Sequence, residues 1–266
     1  MKIGFIGVGN MAKSIIAGWL AKKTFRPEDI LVHSAHRNNY EKYAKETGVT
    51  ACDSNTVLAQ EADIILLAVK PFVLASIIDE ISDVMNENKL IISMASGVSL
   101  AEIESQFKDK KIPIIRIMPN VNVEINEGMT AFVRNSSVTD IAYEQAKSLF
   151  DSLGRTLEIP EKDFSIFVAL AGSSPAYIYY FIDAMARSGV KYGLTKKQAT
   201  EISAQAVLGS AQKVLATTKS PMDMVDDVCS PGGTTIAGLL AMEEAGFMTA
   251  VVKGIDATVL KDQATH

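Results

Sequence analysis

Short apolar runs alternate with amphipathic stretches over the first 160 residues of the chain. The runs are rich in Ile, Leu and Val, which is typical of strands buried on both faces of a parallel sheet. They predict strands at Lys2–Ile6, Ile30–His33, Asp63–Val69, Leu90–Met94, Ile112–Met118, Met129–Val133 and Thr156–Ile159. Strands that alternate with helices indicate βαβ units and an open, doubly wound α/β sheet of Rossmann type.

Capping sequences mark the starts of two helices in this first half. Ser99 is followed three residues later by Glu102, which is the pattern of a capping box. The stretch Thr139–Leu153 has helical periodicity, and Gly154 is expected to close it.

The pattern changes after Pro160, where only long helical stretches follow. A capping box at Thr195–Gln198 leads into the helix Ala199–Ala216, which is dense in Ala, Ser and Gly. Such small side chains permit close helix packing, either in an ordinary helical core or across an interface between subunits. We therefore predict a Rossmann-type domain over residues 1–159 and an all-helical domain over residues 160–266.

A glycine-rich turn follows the first predicted strand and opens the helix Met11–Leu20. Its sequence has the G-x-G-x-x-A form, in which the first glycine permits a tight turn and the second lets the backbone approach a pyrophosphate. The helix N-terminus adds free N–H groups and the positive end of its dipole. The pattern predicts a dinucleotide site at Gly7, Gly9, Asn10, Met11 and Ala12; a turn without a ligand is the alternative.

The end of the second strand indicates which dinucleotide is bound. Enzymes that use NAD usually place a carboxylate there for the ribose hydroxyls, and none occurs between Val32 and Asn38. Ser34 offers a hydroxyl instead, and Arg37 can pair with a 2′-phosphate. NADP(H) is therefore favoured as the cofactor, and NAD(H) stays open as the alternative. The other interpretation of Arg37 is a solvated cation in a loop.

Polar or helix-breaking residues also follow three other strands, where ligands of open α/β sheets bind. These segments are Lys70-Pro71, Ala95-Ser96-Gly97 and Pro119-Asn120, and they are expected to line the nicotinamide ribose and ring. The alternative is that the prolines only terminate strands.

In the helical half, Ser230-Pro-Gly-Gly-Thr-Thr235 precedes the predicted helix Ile236–Glu244. Two glycines free the backbone, and hydroxyls at a helix start suit an anion such as a carboxylate. A simple N-cap that binds nothing is the alternative, and it needs only one hydroxyl. A second break, Gly172–Tyr177, is either a kinked turn or a wall of the same pocket.

The overall composition excludes several classes of function. Lys and Arg total 26 against 31 Asp and Glu, and this net charge of −5 argues against nucleic acid or an anionic membrane as a partner. Three histidines and two cysteines leave no cluster for a metal site. The apolar runs are much shorter than the ~18 residues of a membrane span. We expect two free thiols and a cytoplasmic location.

Five segments carry a resemblance to a known family: FIGVGNMA at 5–12, AVKP at 68–71, RIMPN at 116–120, AGSSPAY at 171–177 and CSPGGTTIAGL at 229–239. With them the chain resembles the pyrroline-5-carboxylate reductases, which catalyse the last step of proline synthesis. The resemblance runs from Lys2 to about Ala257.

The resemblance implies hydride transfer from NAD(P)H to 1-pyrroline-5-carboxylate, giving L-proline. It implies that Thr235 bonds the ring nitrogen as the catalytic residue, and that the substrate carboxylate is held by Ser230, Gly232, Gly233 and Thr234. The cofactor contacts that it implies are Ser34, Arg37, Asn55, Ala68, Val69, Lys70, Pro71 and Asn120. Ala95 is a further expected cofactor contact, because it follows the end of a predicted strand. It further implies a homodimer with interlocked helical domains, with rings of dimers also allowed.

The sequence departs from the family pattern in two places: Ser174 stands where Gly is common, and Val121-Asn122 stand where Thr-Pro is common. An oxidoreductase of the β-hydroxyacid dehydrogenase type is an alternative, but the lysine that it needs is missing from Ala176–Arg187. The other alternative is a non-catalytic paralogue that senses NADP. Such a sensor has little need of a substrate-carboxylate site like the Ser230–Thr235 loop.

Overall fold

The computed structural model describes residues 1–108 and 110–264. They form two compact units, residues 173–257 and residues 1–172 together with the C-terminal segment from Thr258. This division follows the density of contacts between residues, and it differs from a division into domains along the sequence. The domain boundary after residue 159 therefore remains a prediction.

The first unit contains an eight-stranded sheet in the order β3-β2-β1-β4-β5-β6-β7-β8. This arrangement contains the doubly wound order of Rossmann folds and confirms the predicted fold class. The strands are β1 Ile3–Ile6, β2 Ile30–His33, β3 Thr50–Ala51, β4 Ile64–Leu67, β5 Leu90–Ser93, β6 Ile114–Met118, β7 Gly128–Arg134 and β8 Gly154–Glu158.

Two features of the sheet differ from the predicted pattern. Strand β3 is short and exposed, so no apolar run marked it. Strands β6 and β7 pair antiparallel, whereas the other neighbouring pairs are parallel. The connection between β6 and β7 is a single 3₁₀ turn, Val121–Ile125. Such a turn is too short for the crossover that a parallel pair requires, because a parallel crossover takes about a dozen residues or more.

Helices cover both faces of the sheet. On one face the indole of Trp19 is fully buried, lies edge-on to Phe5 and Phe150, and donates its Nε1–H to the Leu149 carbonyl at 2.9 Å. The helices of this unit are α1 Asn10–Lys22, α2 Arg37–Thr47, α3 Asn55–Glu61, α4 Pro71–Ile81, α5 Leu100–Gln106, α6 Asp140–Asp151 and α7 Phe164–Phe167.

The helix starts follow their capping sequences. Both halves of the capping box at Ser99 and Glu102 form at the start of α5, and the Thr139 hydroxyl accepts a hydrogen bond from the Ala142 N–H at 3.2 Å. The predicted role of Gly154 in closing α6 is wrong, because α6 ends at Asp151 and Gly154 begins β8. Gly154 has φ +143°, and a Cβ there would collide with the Gly128 backbone of the neighbouring strand.

The second unit is helical. The capping box at Thr195 and Gln198 forms at the start of α9, and a Cβ added to Gly189 would lie 2.8 Å from the Ala199 Cβ, so α8 and α9 pack closely. Only Ala199 and Ser203 of α9 are buried. The helices are α8 Ser174–Lys191, α9 Lys196–Leu215, α10 Pro221–Val228, α11 Thr234–Glu244 and α12 Phe247–Gln263, which runs on past Thr258.

Candidate active site

A cleft of about 850 Å³ opens at the carboxyl ends of β1, β2, β4, β5 and β6. Eight of the predicted cofactor residues line it: Gly7, Gly9, Asn10, Met11, Ser34, Ala68, Val69 and Lys70. The first turn of α1 points its N–H groups into the same region, which suits a pyrophosphate. The cleft thus has the position and the donors expected of a dinucleotide site.

The two glycines of the turn have different physical roles. Gly7 has φ +99°, and a Cβ there would collide with the Ala68 carbonyl oxygen, so the fold itself requires glycine. A Cβ on Gly9 would meet nothing within 4 Å, so its missing side chain leaves open space for a ligand. Ala12 is 1% exposed and packs beneath the turn, as a small third residue should.

Ser34 and Arg37 follow β2, whose carboxyl end borders the cleft. Ser34 lines the cleft, whereas Arg37 begins α2 and is not among the lining residues. The Arg37 guanidinium pairs with Glu41 at 2.6 Å and with Asp53 at 3.2 Å. These bonds raise the pKa of Arg37, with the hydrogen bond to Glu41 as the largest cause.

Besides Ala12 and Arg37, four predicted cofactor residues lie outside the cleft lining: Asn55, Pro71, Ala95 and Asn120. Pro71 is the first residue of α4, and Ala95 is 1% exposed. Asn55 begins α3, where its Nδ2–H donates to the Glu80 carboxylate at 2.7 Å. The Asn55 Oδ1 is buried and has no hydrogen-bond partner within the described residues, so it retains a free acceptor.

Asn120 is 5% exposed, and its side chain makes two long-range hydrogen bonds. Its Nδ2–H donates to the Ala171 carbonyl at 3.0 Å, and its Oδ1 accepts from the Met129 N–H at 3.2 Å. Ala171 lies in a π-helical turn, Val168–Gly172, that leads towards α8. Asn120 therefore joins this turn to the sheet at the carboxyl end of β6 and the start of β7.

The sequence reasoning missed several residues that line the cleft, chiefly Asn39, Tyr40, Phe72, Val73, Met94 and Met118. Met94 and Met118 end predicted strands, so the rule that ligands bind at strand ends could have found them. Phe72 follows Pro71 in the first turn of α4 and is 86% exposed at the edge of the cleft. An apolar residue in a helix is usually expected in the core, so the residue type of Phe72 did not indicate a place beside the cleft.

The second unit carries the predicted substrate loop between α10 and α11. The Gly233 N–H donates to the Ser230 carbonyl at 3.0 Å, which closes a tight turn. Gly232 takes φ +70°, and a Cβ on Gly233 would lie 2.5 Å from the Ser230 Oγ. The positive φ favours glycine at 232, whereas a side chain at 233 would force the Ser230 hydroxyl to move.

The loop hydroxyls are not used to cap the helix. Helix α11 begins at Thr234 with Gly233 as its N-cap, and no side-chain cap bond forms. Among the described residues, the hydroxyls of Ser230, Thr234 and Thr235 make no hydrogen bond. A simple N-cap would use one of them. The hydroxyls and the first N–H groups of α11 thus remain available to an anion.

Similarity to known proteins identifies the family. Residues 161–265 match the family described as pyrroline-5-carboxylate reductase dimerisation, and residues 2–97 match the family described as NADP oxidoreductase coenzyme F420-dependent. The pyrroline-5-carboxylate reductase of Escherichia coli (strain K12) is 38% identical over 263 residues, which are 98% of this chain and 97% of that protein. The chain belongs to the pyrroline-5-carboxylate reductase family.

Solved structures of this family have the same fold. The 1-pyrroline-5-carboxylate reductase of Streptococcus pyogenes is 39% identical with a TM-score of 0.87, covering 99% of this chain and 98% of that one. The Plasmodium falciparum pyrroline carboxylate reductase with NADP bound is 29% identical with a TM-score of 0.88, covering 99% and 97%. The predicted family, enzyme class and use of NADP are confirmed, whereas the roles of individual site residues stay predictions.

The two departures from the family pattern fall at turns. Val121 and Asn122 lie in the 3₁₀ turn between β6 and β7, and Ser174 is the first residue of α8. Neither position removes a hydrogen-bond donor from the cleft or from the loop 230–235.

Proposed function

We propose that this chain reduces 1-pyrroline-5-carboxylate to L-proline with NADPH as the preferred hydride donor, with the residue roles given below. The observation that carries the residue assignment is the loop 230–235, whose hydroxyls and helix N–H groups are free for an anion. The net charge of −5 further supports a small-molecule substrate rather than a nucleic acid partner.

The dinucleotide fits the residues of the first unit. Gly7 shapes the turn, Gly9 leaves space where a Cβ would stand, and α1 presents its N-terminus to the pyrophosphate. Ser34 and Arg37 bind the 2′-phosphate that distinguishes NADPH from NADH. When bound, the nicotinamide supplies the hydride.

The substrate is held by the second unit. The hydroxyls of Ser230 and Thr234 and the backbone of Gly232 and Gly233 bind its carboxylate. Thr235 hydrogen-bonds the ring nitrogen and fixes the ring for attack at the C=N carbon. Because the cyclic imine is readily protonated, it accepts the hydride as an iminium ion and leaves as a secondary amine, so the enzyme has no proton to supply.

The contribution of these residues is therefore mainly alignment of the two reactants, for which pre-organisation can provide up to ~7–11 kcal/mol. Losing one positioned hydrogen bond at Thr235 should lower kcat/KM about 10- to 100-fold.

The direct test is NADPH oxidation on addition of 1-pyrroline-5-carboxylate, followed by loss of absorbance. We expect turnover by the unsubstituted protein, a loss of about 10- to 100-fold in kcat/KM for Thr235→Val, and near-normal kcat/KM for Thr235→Ser, which keeps the hydroxyl. Rates of Thr235→Val within twofold of the unsubstituted protein would refute the role of Thr235. NADPH binding without any oxidation would favour a sensor.

The active form is a homodimer, with a larger ring of dimers as a further possibility to be measured. Large apolar side chains stand exposed in the second unit, including Tyr180 at 78%, Tyr192 at 83% and Leu215 at 65%. By its length and its composition alone, the helical stretch Glu161–Lys191 could also cross a membrane. Since the family match to 161–265 is a dimerisation family, we assign these faces to a partner subunit and place the protein in the cytoplasm. Light scattering coupled to size-exclusion chromatography measures the assembly.

A further inference from the structure

Two carboxylates hold the cation that is expected to recognise the 2′-phosphate of NADPH. Arg37 bonds Glu41 one helical turn away, with Nε to Oε1 at 2.6 Å, and Asp53 across the surface, with Nη2 to Oδ1 at 3.2 Å. All three side chains are accessible to solvent, with exposed fractions of 67%, 44% and 83%. Such a pair forms and breaks easily, because exposed ion pairs are weak.

The position of Arg37 makes this pairing relevant to the cofactor. His36, which precedes Arg37, and Asn39, two residues after it, line the dinucleotide cleft together with Ser34, whereas Arg37 itself does not. A 2′-phosphate seated against Ser34 therefore has to draw the guanidinium away from Glu41 and Asp53. NADH carries no phosphate at that position and makes no such demand.

We propose that Glu41 and Asp53 are specificity-determining residues that compete with the 2′-phosphate for Arg37. By this competition they reduce the affinity for NADPH relative to the affinity for NADH. The proposal rests on the assignment of Arg37 to the 2′-phosphate. Both carboxylates weaken NADPH binding, while NADH binds with Arg37 still paired. Their removal raises selectivity for NADPH without any new contact to the cofactor.

The size of the effect follows from the strength of exposed ion pairs. Each pair contributes roughly 0.2–1 kcal/mol, and a tenfold change in affinity corresponds to about 1.4 kcal/mol. Glu41→Gln should therefore lower the Kd for NADPH about 1.4- to 5-fold. The double variant Glu41→Gln/Asp53→Asn should lower it about 2- to 27-fold. The Kd for NADH should change less than about 1.5-fold in either variant.

The experiment is a titration of the full-length protein with NADPH and NADH at fixed ionic strength, followed by dinucleotide fluorescence. Glu46→Gln is the matched control, because Glu46 is also a carboxylate of α2 and pairs with Lys42 at 3.8 Å instead of Arg37. It should leave both Kd values unchanged within about 1.5-fold. A gain of the same size in Glu46→Gln would show general charge repulsion and overturn the proposal.

A second variant separates competition for Arg37 from simple repulsion of the phosphate. In an Arg37→Gln background, Glu41→Gln should no longer improve NADPH binding, because nothing is left to release. An undiminished effect of Glu41→Gln in that background overturns the proposal, as does an equal effect on NADPH and NADH. Failure of the unsubstituted protein to bind NADPH would instead overturn the proposed function itself.

Discussion

Asn120 is expected to act as an anchor between the sheet and the π-helical turn that precedes α8, and Asn120→Ala tests this. The substitution removes one hydrogen bond to the Ala171 carbonyl and one from the Met129 N–H, at 3.0 and 3.2 Å. The site is 5% exposed, so water replaces these bonds poorly. Leaving a buried polar group unpaired costs about 1–3 kcal/mol, which gives about 2–6 kcal/mol for the two groups.

The assay is thermal unfolding at one fixed protein concentration, because subunit assembly makes Tm depend on concentration. For a chain of this size a loss of 1 kcal/mol lowers Tm by about 2–4 °C, so Asn120→Ala should lower Tm by about 4–24 °C. Asn122→Ala is the matched control, since no hydrogen bond of the Asn122 side chain occurs among the described residues. It should leave Tm within about 2 °C.

The result that would refute the anchoring role is specific. If Asn120→Ala leaves Tm within about 2 °C but raises the Kd for NADPH tenfold or more, Asn120 is a direct cofactor ligand, as the family resemblance implies. Asn120→Asp adds an independent check. At neutral pH its carboxylate keeps the acceptor for Met129 but faces the Ala171 carbonyl without a donor. Its stability deficit should therefore shrink as pH falls towards 4, where a protonated carboxyl regains the donor.

Three further predictions concern stability, and the first of them also separates folding from cofactor binding. Gly7→Ala should lower both Tm and NADPH affinity, whereas Gly9→Ala, with nothing within 4 Å of its Cβ, should lower only the affinity; equal Tm losses in the two would contradict this. Glu161→Gln removes the negative charge 2.7 Å from the Arg116 side chain, which is 7% exposed, and should cost about 3 kcal/mol in urea unfolding, with a smaller loss when Arg116→Met is added. Burial raises the pKa of Cys52 from 9.0 to about 11, so the thiolate forms first in the unfolded chain and stability should fall between pH 9 and 11. A Cys52→Ala variant should show a shallower fall in Tm over that window, and a flat Tm in the unsubstituted protein would refute the assignment.

Most strands of the sheet could be predicted because burial on both faces demands continuous apolar runs. β2 has the predicted bounds, Ile30–His33, and β4, Ile64–Leu67, is the inner part of its predicted run. Strand β3 escaped detection because its two residues are exposed and form no run. The direction of β7 could not be predicted from apolar pattern at all, since a buried strand has the same composition whichever way it runs.

The residues of the candidate site were easier to find than their partners. The glycine turn is defined by local sequence, so Gly7 and Gly9 reach the cleft as expected. By contrast, the bonds of Asn120 join residues 9 and 51 positions away, and the pairing of Arg37 with Asp53 spans 16 positions. Such contacts depend on how elements pack, and no local pattern encodes them.

The scarcity of histidine is explained by the chemistry of the substrate rather than by a missing residue. His33 bonds the Cys52 carbonyl at 2.9 Å, His36 lines the dinucleotide cleft, and His266 lies outside the described residues. Neither described histidine belongs to the unit that carries the loop 230–235. Reduction of a ketone needs a side chain that delivers a proton at neutral pH, which is the usual task of histidine. A cyclic imine brings its own proton on nitrogen, so the site proposed at the loop 230–235 needs no side chain that delivers one.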